Sequence, residues 1–247
     1  MKELEIKQLG ELPFGVTEAL NQLRINLGFC GGGIKIVMMT SSVPNEGKSF
    51  LTLHLWKMMA EVGVKTLLID CDFRNSEMRR KYGIHSTSGQ KLIGGAHYLA
   101  GQASLEEVIY KTNVPNGYMI PVASTIANPT ILLESDNFSR MVEECAGQFS
   151  YILLDTPPLG RVADALTIAR HCHGSVLVVR SGSTPRKLVE NSAQLLRRTE
   201  SPLLGVVLNR ADVGSRSNAY YHRYYGSSDY CYGYGHSHNK PTTNGGK

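Results

Sequence analysis

Ile36-Val37-Met38-Met39-Thr40-Ser41-Ser42-Val43-Pro44-Asn45-Glu46-Gly47-Lys48-Ser49 runs from an apolar strand through a short loop into a helix, and it closes on Gly-Lys-Ser. Binding a chain of phosphates takes backbone N–H groups wrapped around it, a lysine reaching the β and γ oxygens, and a hydroxyl for Mg²⁺ at the helix start. Gly47, Lys48 and Ser49 supply the last of these parts, and Ser42, Val43, Pro44, Asn45 and Glu46 complete the candidate cofactor-binding loop. Ser42 stands where the strict G-x-x-x-x-G-K-[ST] pattern has its first glycine, so the context carries part of the reading. A surface Lys-Ser pair opening an ordinary helix is the rival reading, and the strand before the loop disfavours it.

Two further strand ends point the same way. Leu67-Leu68-Ile69-Asp70-Cys71-Asp72 places two carboxylates beyond a buried run, and Ile152-Leu153-Leu154-Asp155-Thr156 places a third beyond another. An aspartate at such a position in a P-loop protein typically holds the Mg²⁺ shell, for which hard oxygen ligands are suited. Any one of them could instead cap the next helix; three beside one Gly-Lys-Ser loop are expected to converge.

The rest of the chain supplies a scaffold. Strand-like runs fall at 34–39, 66–69, 118–122, 151–154, 175–179 and 203–208. Helical stretches fall at 17–27, 48–62, 104–111, 136–147, 163–171 and 185–198. The expected caps are Thr17, a Ser104/Glu107 capping box, and Thr184 ahead of Pro185. Strands alternating with helices, several of them continuously apolar, predict an α/β fold: a mostly parallel sheet covered on both faces, with ligands at the strands' C-terminal ends. The expected division is an N-terminal helical segment over 1–33, a P-loop domain over 34–211 and a disordered tail over 212–247.

Seven of the twelve tyrosines fall in that tail, at Tyr220, Tyr221, Tyr224, Tyr225, Tyr230, Tyr232 and Tyr234. They are interleaved with Gly, Ser, His and Asn rather than spaced at a core period, so they read as exposed phenols: sticky aromatic surface or substrates. The net charge of +5 is mild, and no nucleic-acid partner is expected. Five scattered cysteines without a Cys-x-x-Cys pair argue against a disulfide framework and a zinc site, and suit reducing cytosol. No apolar run approaches the roughly 18–20 residues needed to span a bilayer, so a partner is expected to supply any membrane association.

These residues resemble the bacterial tyrosine kinases that control capsule and exopolysaccharide synthesis, in the form made as a separate cytoplasmic chain. The likeness rests on the Thr-Ser-Ser-x-Pro-x-Glu-Gly-Lys-Ser loop, Asp-x-Asp-x-Arg at 70–74 and Gly-Gln-Ala-Ser-Leu-Glu-Glu-Val-Ile at 101–109. It continues through Asn128-Pro129, Asp155-Thr156-Pro157-Pro158, Asp164, Gly205-Val206-Val207-Leu208-Asn209 and the tyrosine tail. The resemblance implies a fold like the deviant-Walker partition and division-site ATPases, with ATP and Mg²⁺ as cofactors. It implies tail tyrosines as phosphoacceptors, modified mainly between subunits. The implied partners are further copies in a ring, a transmembrane activator that recruits the chain to the inner face of the membrane, protein substrates in sugar-nucleotide or polysaccharide synthesis, and a cognate tyrosine phosphatase.

Lys48, Asp70, Asp72 and Asp155 are the expected catalytic residues. Ser49, Asp155 and Asp72 are the expected metal ligands, and Asn209 resembles the adenine-contacting position. Asp70 is the candidate to orient and deprotonate the phenol, a role exchangeable with Asp72. Arg74 either steadies phosphates or a subunit contact, or pairs with an acid. Asn45 stands where the family commonly has glycine. The assembly motif Glu-x-x-Arg-x-x-Arg reads Glu18, Asn21, Arg24, which removes one arginine contact. A non-kinase, ATP-switched scaffold of the partition type is the alternative; its second loop lysine and C-terminal amphipathic helix are not visible in the sequence.

Overall fold

In the computed structural model the described residues are 2–160, 163–199 and 201–211. Four strands, β2 (Ile36–Ser41), β3 (Thr66–Asp70), β7 (Tyr151–Asp155) and β8 (Gly174–Arg180), are buried along nearly their whole length. They form the centre of a nine-stranded sheet of order β4-β1-β5-β6-β3-β7-β2-β8-β9. The outer members are β1 (Lys2–Ile6), β4 (Ile84–Ser86), β5 (Tyr110–Thr112), β6 (Gly117–Ile120) and β9 (Leu203–Asn209). All neighbouring pairs are parallel except β1–β4 and β5–β6, as expected of a mostly parallel α/β sheet.

The period of two in these strands divides the core. Ile36, Met38, Ile69, Leu154 and Leu177 face one layer, built largely by α7 (Asp136–Gln148), α8 (Asp164–Ala169) and α9 (Arg186–Arg197). Val37, Met39, Leu68, Leu153 and Val176 face the other, built by α1 (Phe14–Phe29) and α2 (Lys48–Glu61). Apolar side chains on both faces explain why these runs show no alternation with polar residues. Trp56 of α2 is fully buried and donates its indole N–H to Thr66 O at 3.2 Å, fixing the helix that carries the loop lysine onto β3.

Several elements differ from the sequence reading. Lys2–Ile6 is a strand between β4 and β5 with Leu4 and Ile6 buried, so residues 1–33 do not form a purely helical segment. α1 starts at Phe14, and Thr17 bonds back to Pro13 O instead of capping; Leu20 and Leu27 are buried as expected. The capping box holds, with Ser104 N donating to Glu107 Oε2 at 2.9 Å. Its helix, α5 (Leu105–Val108), is short because Tyr110 and Thr112 turn inward as strand residues. Three further short helices, α3 (Met78–Lys81), α4 (Gly95–Leu99) and α6 (Thr130–Leu133), lie outside the expected set. No helix of the described residues is long and apolar enough to cross a membrane.

One buried group on α2 makes the fold sensitive to acid. His54 packs with its ring centroid 4.4 Å from that of Phe50, and burial, with Lys57 and Lys81 nearby, pulls its pKa down to about 4. Between about 6.5 and 4 the unfolded chain binds a proton that the folded chain refuses, so this contribution to stability is whole above 6.5 and lost as the pH falls. Melting temperatures from pH 7.5 to 4.5 should fall less steeply for His54→Leu than for the wild type; parallel curves would contradict the assignment.

Candidate functional site

β2, β7 and β3 are adjacent and parallel, so their C-terminal ends meet on one edge. The crossover from β2 leads towards β3 while that from β7 leads across β2 to β8, which makes this edge the topological switch point. Asp70 and Asp155 are register partners on neighbouring strands, and Cys71 N donates to Asp155 O at 2.8 Å. The predicted convergence is observed. Lys48 Nζ lies 3.3 Å from Asp72 Oδ2, 3.8 Å from Asp155 Oδ2 and 3.3 Å from Ser49 Oγ.

The loop's shape is set locally. Gly47 has φ of 95°, and a Cβ there would fall 2.0 Å from Asn209 Nδ2, so only glycine fits. Asn45 takes φ of 66°, a region that asparagine tolerates better than most residues, so the departure from glycine keeps the backbone shape. α2 begins at Lys48 with no acidic residue in its first turn, which leaves N–H groups and the positive end of the helix dipole for an anion. Ser42 Oγ is buried without a hydrogen-bond partner among the described residues. The Asp155-Thr156-Pro157-Pro158 segment is tied to the loop by Thr40 Oγ1 donating to Pro157 O at 3.0 Å and by Gly160 N donating to Ser42 O at 3.0 Å.

Glu46, expected only as a member of the loop, is its brace. The side chain is 1% exposed; Oε2 accepts Val43 N at 2.8 Å, and Oε1 accepts Arg180 N at 3.1 Å and the Thr184 hydroxyl. Thr184 is therefore spent on the loop and does not cap α9, which starts after Pro185. Asn209 Nδ2 closes the arrangement by donating to Glu46 O at 2.7 Å. Only residue 43 is near Glu46 in sequence; the other partners lie more than 130 positions away.

Charge at the strand ends is out of balance: the carboxylates of Asp70, Asp72 and Asp155 face one ammonium. Burial pulls the Lys48 pKa down, but Asp155, Asp72 and Asp70 outweigh it and hold the group above its usual value. Asp70 is pushed up to about 7, first by burial and then by Asp155, against the stabilising hydroxyl of Ser76. Asp155 is also raised by burial, opposed by Lys48; Thr52 Oγ1, one turn along α2, donates to it at 3.4 Å. An extra cation would relieve this excess. Ser49, Asp72 and Asp155 offer hard oxygen donors of the kind Mg²⁺ takes when phosphate and water complete its shell.

Other predicted residues separate from this cluster. Arg74, whose role the sequence left open, forks onto buried Asp164 at 2.6 and 3.2 Å and donates to Ala127 O and Thr130 Oγ1, which commits it to a structural acid. Glu18, Asn21 and Arg24 lie on α1; Asn21 Nδ2 donates to Glu18 Oε1 at 3.5 Å, and Arg24 Nε is buried without a partner among the described residues. All seven tail tyrosines lie outside the described residues. Ser76, Thr52 and the brace role of Glu46 were not foreseen; the one available signal was Thr52, one turn beyond Lys48.

The brace predicts a measurable cost. Glu46→Gln replaces one acceptor oxygen by a donor facing an N–H or hydroxyl, so urea unfolding should show a loss of about 1–3 kcal/mol. Nucleotide affinity should fall with it. Unchanged stability and affinity would contradict the role.

The sequence matches the family described as AAA domain over residues 35–179, more than half of the chain. It is 39% identical over 195 residues to the tyrosine-protein kinase CpsD of Streptococcus agalactiae, covering 79% of this chain and 83% of that one. The kinase domain of the Escherichia coli tyrosine kinase ETK superposes with a TM-score of 0.70 at 28% identity, covering 88% of this chain and 80% of that one. The septum site-determining protein MinD of Pyrococcus horikoshii, complexed with Mg-ADP, shares the fold with a TM-score of 0.61 at 22% identity, covering 72% of each chain. A nucleotide-binding P-loop domain with this strand order, at this identity and coverage, belongs to the CpsD-type tyrosine-protein kinase family.

Proposed function

We propose that the chain transfers the γ-phosphoryl group of ATP to tyrosine hydroxyls, chiefly those of the tails of neighbouring copies, and thereby regulates capsular or exopolysaccharide synthesis and export. The observation that carries this reading is the Lys48 ammonium held between Asp72 and Asp155 at the mouth of the loop. Phosphoryl transfer leaves a protein mainly the tasks of positioning and charge stabilisation, and a buried cation beside loop amides performs both.

Ser49, Asp155 and Asp72 would hold Mg²⁺, which supplies neutralisation of the β and γ phosphate oxygens. Lys48 turns from its carboxylate partners to the phosphates and stabilises charge on the transferring group. Asp70 orients the acceptor phenol and takes its proton; burial, with Asp155 beside it, raises its pKa and makes it a better proton acceptor than an ordinary aspartate. Asp72 is assigned to the phosphate side, a reading supported by its bonds to Lys48 and to Asn75 N, the latter at 3.1 Å. Asn209 lies against the loop, with one amide hydrogen committed to Glu46 O, and the adenine is assigned to its vicinity.

The bond from phosphorus to the β–γ bridging oxygen breaks, a bond to the phenolic oxygen forms, and ADP leaves. A coil of roughly ten residues has a span of roughly 16–19 Å on general polymer grounds, a reach that serves a site on the same subunit or an adjacent one. Modifying most of the cluster would add roughly −10 or more of charge and drive packed copies apart. Recruitment to the inner face of the membrane by a transmembrane activator, and removal of the phosphates by a cognate phosphatase, are carried by the family resemblance.

With ATP, Mg²⁺ and the activator's cytoplasmic segment, the wild type should accumulate phosphotyrosine that maps to the tail. Lys48→Met should lose at least about 100-fold of that rate, the scale seen when one transition-state charge stabiliser is removed. Absence of ATP-dependent phosphotyrosine in the wild type would defeat the reading, as would full activity of Lys48→Met.

A further inference from the structure

An open groove of about 590 Å³ that the roles above leave unused is linked to buried Asp70 through one of its lining residues, Ser76. Its walls include Lys7, Arg79, Arg80, His85 and Ser76. Ser76 joins the two sites, because its hydroxyl donates to Asp70 Oδ2. Arg79 is steadied by donating to Ala123 O at 3.0 Å, which leaves the rest of its fork unused. Arg80 pairs with Glu77 and His85 with Glu5, at 2.8 and 3.1 Å, but these are exposed contacts of small worth, and neither acid lines the groove. Lys7 has no acidic partner within 4.0 Å among the described residues. The groove thus presents the cations of Lys7, Arg79 and Arg80 on the same walls as Ser76, the residue that bonds the proposed proton acceptor.

Arginine forks match phosphate oxygens in geometry and charge. The phosphates of ATP are already assigned to the loop and the start of α2, so an anion here belongs to the acceptor side. An unmodified tail has little to offer: residues 212–247 contain Asp212 and Asp229 against Arg216, Arg223, Lys240 and Lys247. One phosphotyrosine adds about −1.5 to −2 of charge at a single point, which cancels most or all of that basic excess and supplies the anion. Every tail tyrosine also has another within four residues, a reach of up to about 14 Å in extended chain.

We propose that this groove is a phosphotyrosine site that primes further transfer. A tyrosine already phosphorylated on the tail of a second copy seats among Lys7, Arg79 and Arg80, holding a neighbouring unmodified tyrosine at Asp70. The first transfer is slow, later ones are faster, and the tail is modified in runs. This rests on the kinase reading for its purpose, while the binding itself does not require turnover.

The test uses the full chain with its seven tail tyrosines changed to phenylalanine, and peptides spanning 217–235, either unmodified or phosphorylated at Tyr225. The primed peptide should show a KM about tenfold lower at similar kcat, equivalent to about 1.4 kcal/mol of binding. The combination Lys7→Ala, Arg79→Ala and Arg80→Ala should erase that difference while leaving the KM for ATP and turnover of the unmodified peptide unchanged. Should the triple variant melt early, Arg79→Gln and Arg80→Gln singly carry the same comparison. Equal KM values for the two peptides, or an advantage that survives these substitutions, would overturn the proposal. Transfer to neither peptide counts against the kinase reading alone, and fluorescence anisotropy of labelled peptides without ATP then decides the groove. Tighter binding of the primed peptide, lost in the variants, supports it; equal binding overturns it.

Discussion

Three carboxylates at the ends of neighbouring parallel strands share one buried ammonium, and the rest of the molecule is organised to keep them there. Asp70 and Asp155 cannot move apart without breaking the β3–β7 ladder, whose last register pair they form. The backbone of Lys48 cannot leave their neighbourhood without unwinding the first turn of α2, which Trp56 anchors to β3, so only its side chain is free to turn. Burial penalises the charged forms of Asp70 and Asp155, and the like charges beside them add to the cost, which is why both are raised. A fold that keeps such an arrangement gives up stability at the place where charge must later be neutralised. That is the pattern expected of a site built for phosphates and a divalent cation.

Rigidity around the cluster comes from a second buried charge. Glu46 ties the loop to the end of β8 and to Thr184, while Asn209 reaches from β9 to the Glu46 carbonyl. The loop is thereby fastened to strands on the opposite side of β2 from Asp70 and Asp155. Loop amides held at both ends need little reorganisation when an anion arrives, which is the condition under which fixed dipoles stabilise a transition state most effectively. The Arg74–Asp164 fork does the corresponding work for the Asp70–Arg74 turn, fastening it to the start of α8.

How much was legible in the sequence follows from the range of the interactions. The central strands announced themselves because burial on both faces leaves unbroken apolar runs, and the strand-end aspartates interrupt those runs abruptly. Lys2–Ile6 has only two inward residues, Leu4 and Ile6, too short a pattern to separate from a charged terminus. Tyr110–Thr112 follows a genuine capping box, so local signals favoured continuing the helix where packing against β1 and β6 imposed a strand. Lys48, Ser49 and the three aspartates could be placed together because each sits at a fixed offset from a strand. The partners of Glu46 and Arg74 could not, since Arg180, Thr184 and Asp164 come together with them only once the sheet has formed.

The central claim, that this charge cluster transfers phosphoryl groups to tyrosines of another copy, is tested most directly by complementation. A chain carrying Lys48→Met with an intact tail is mixed, with ATP and Mg²⁺, with an otherwise wild-type chain whose tail tyrosines are phenylalanine. The account predicts phosphotyrosine on the tail of the Lys48→Met chain, growing with the concentration of the active partner. An unmodified Lys48→Met tail, in a mixture where wild-type chains label themselves, would contradict it.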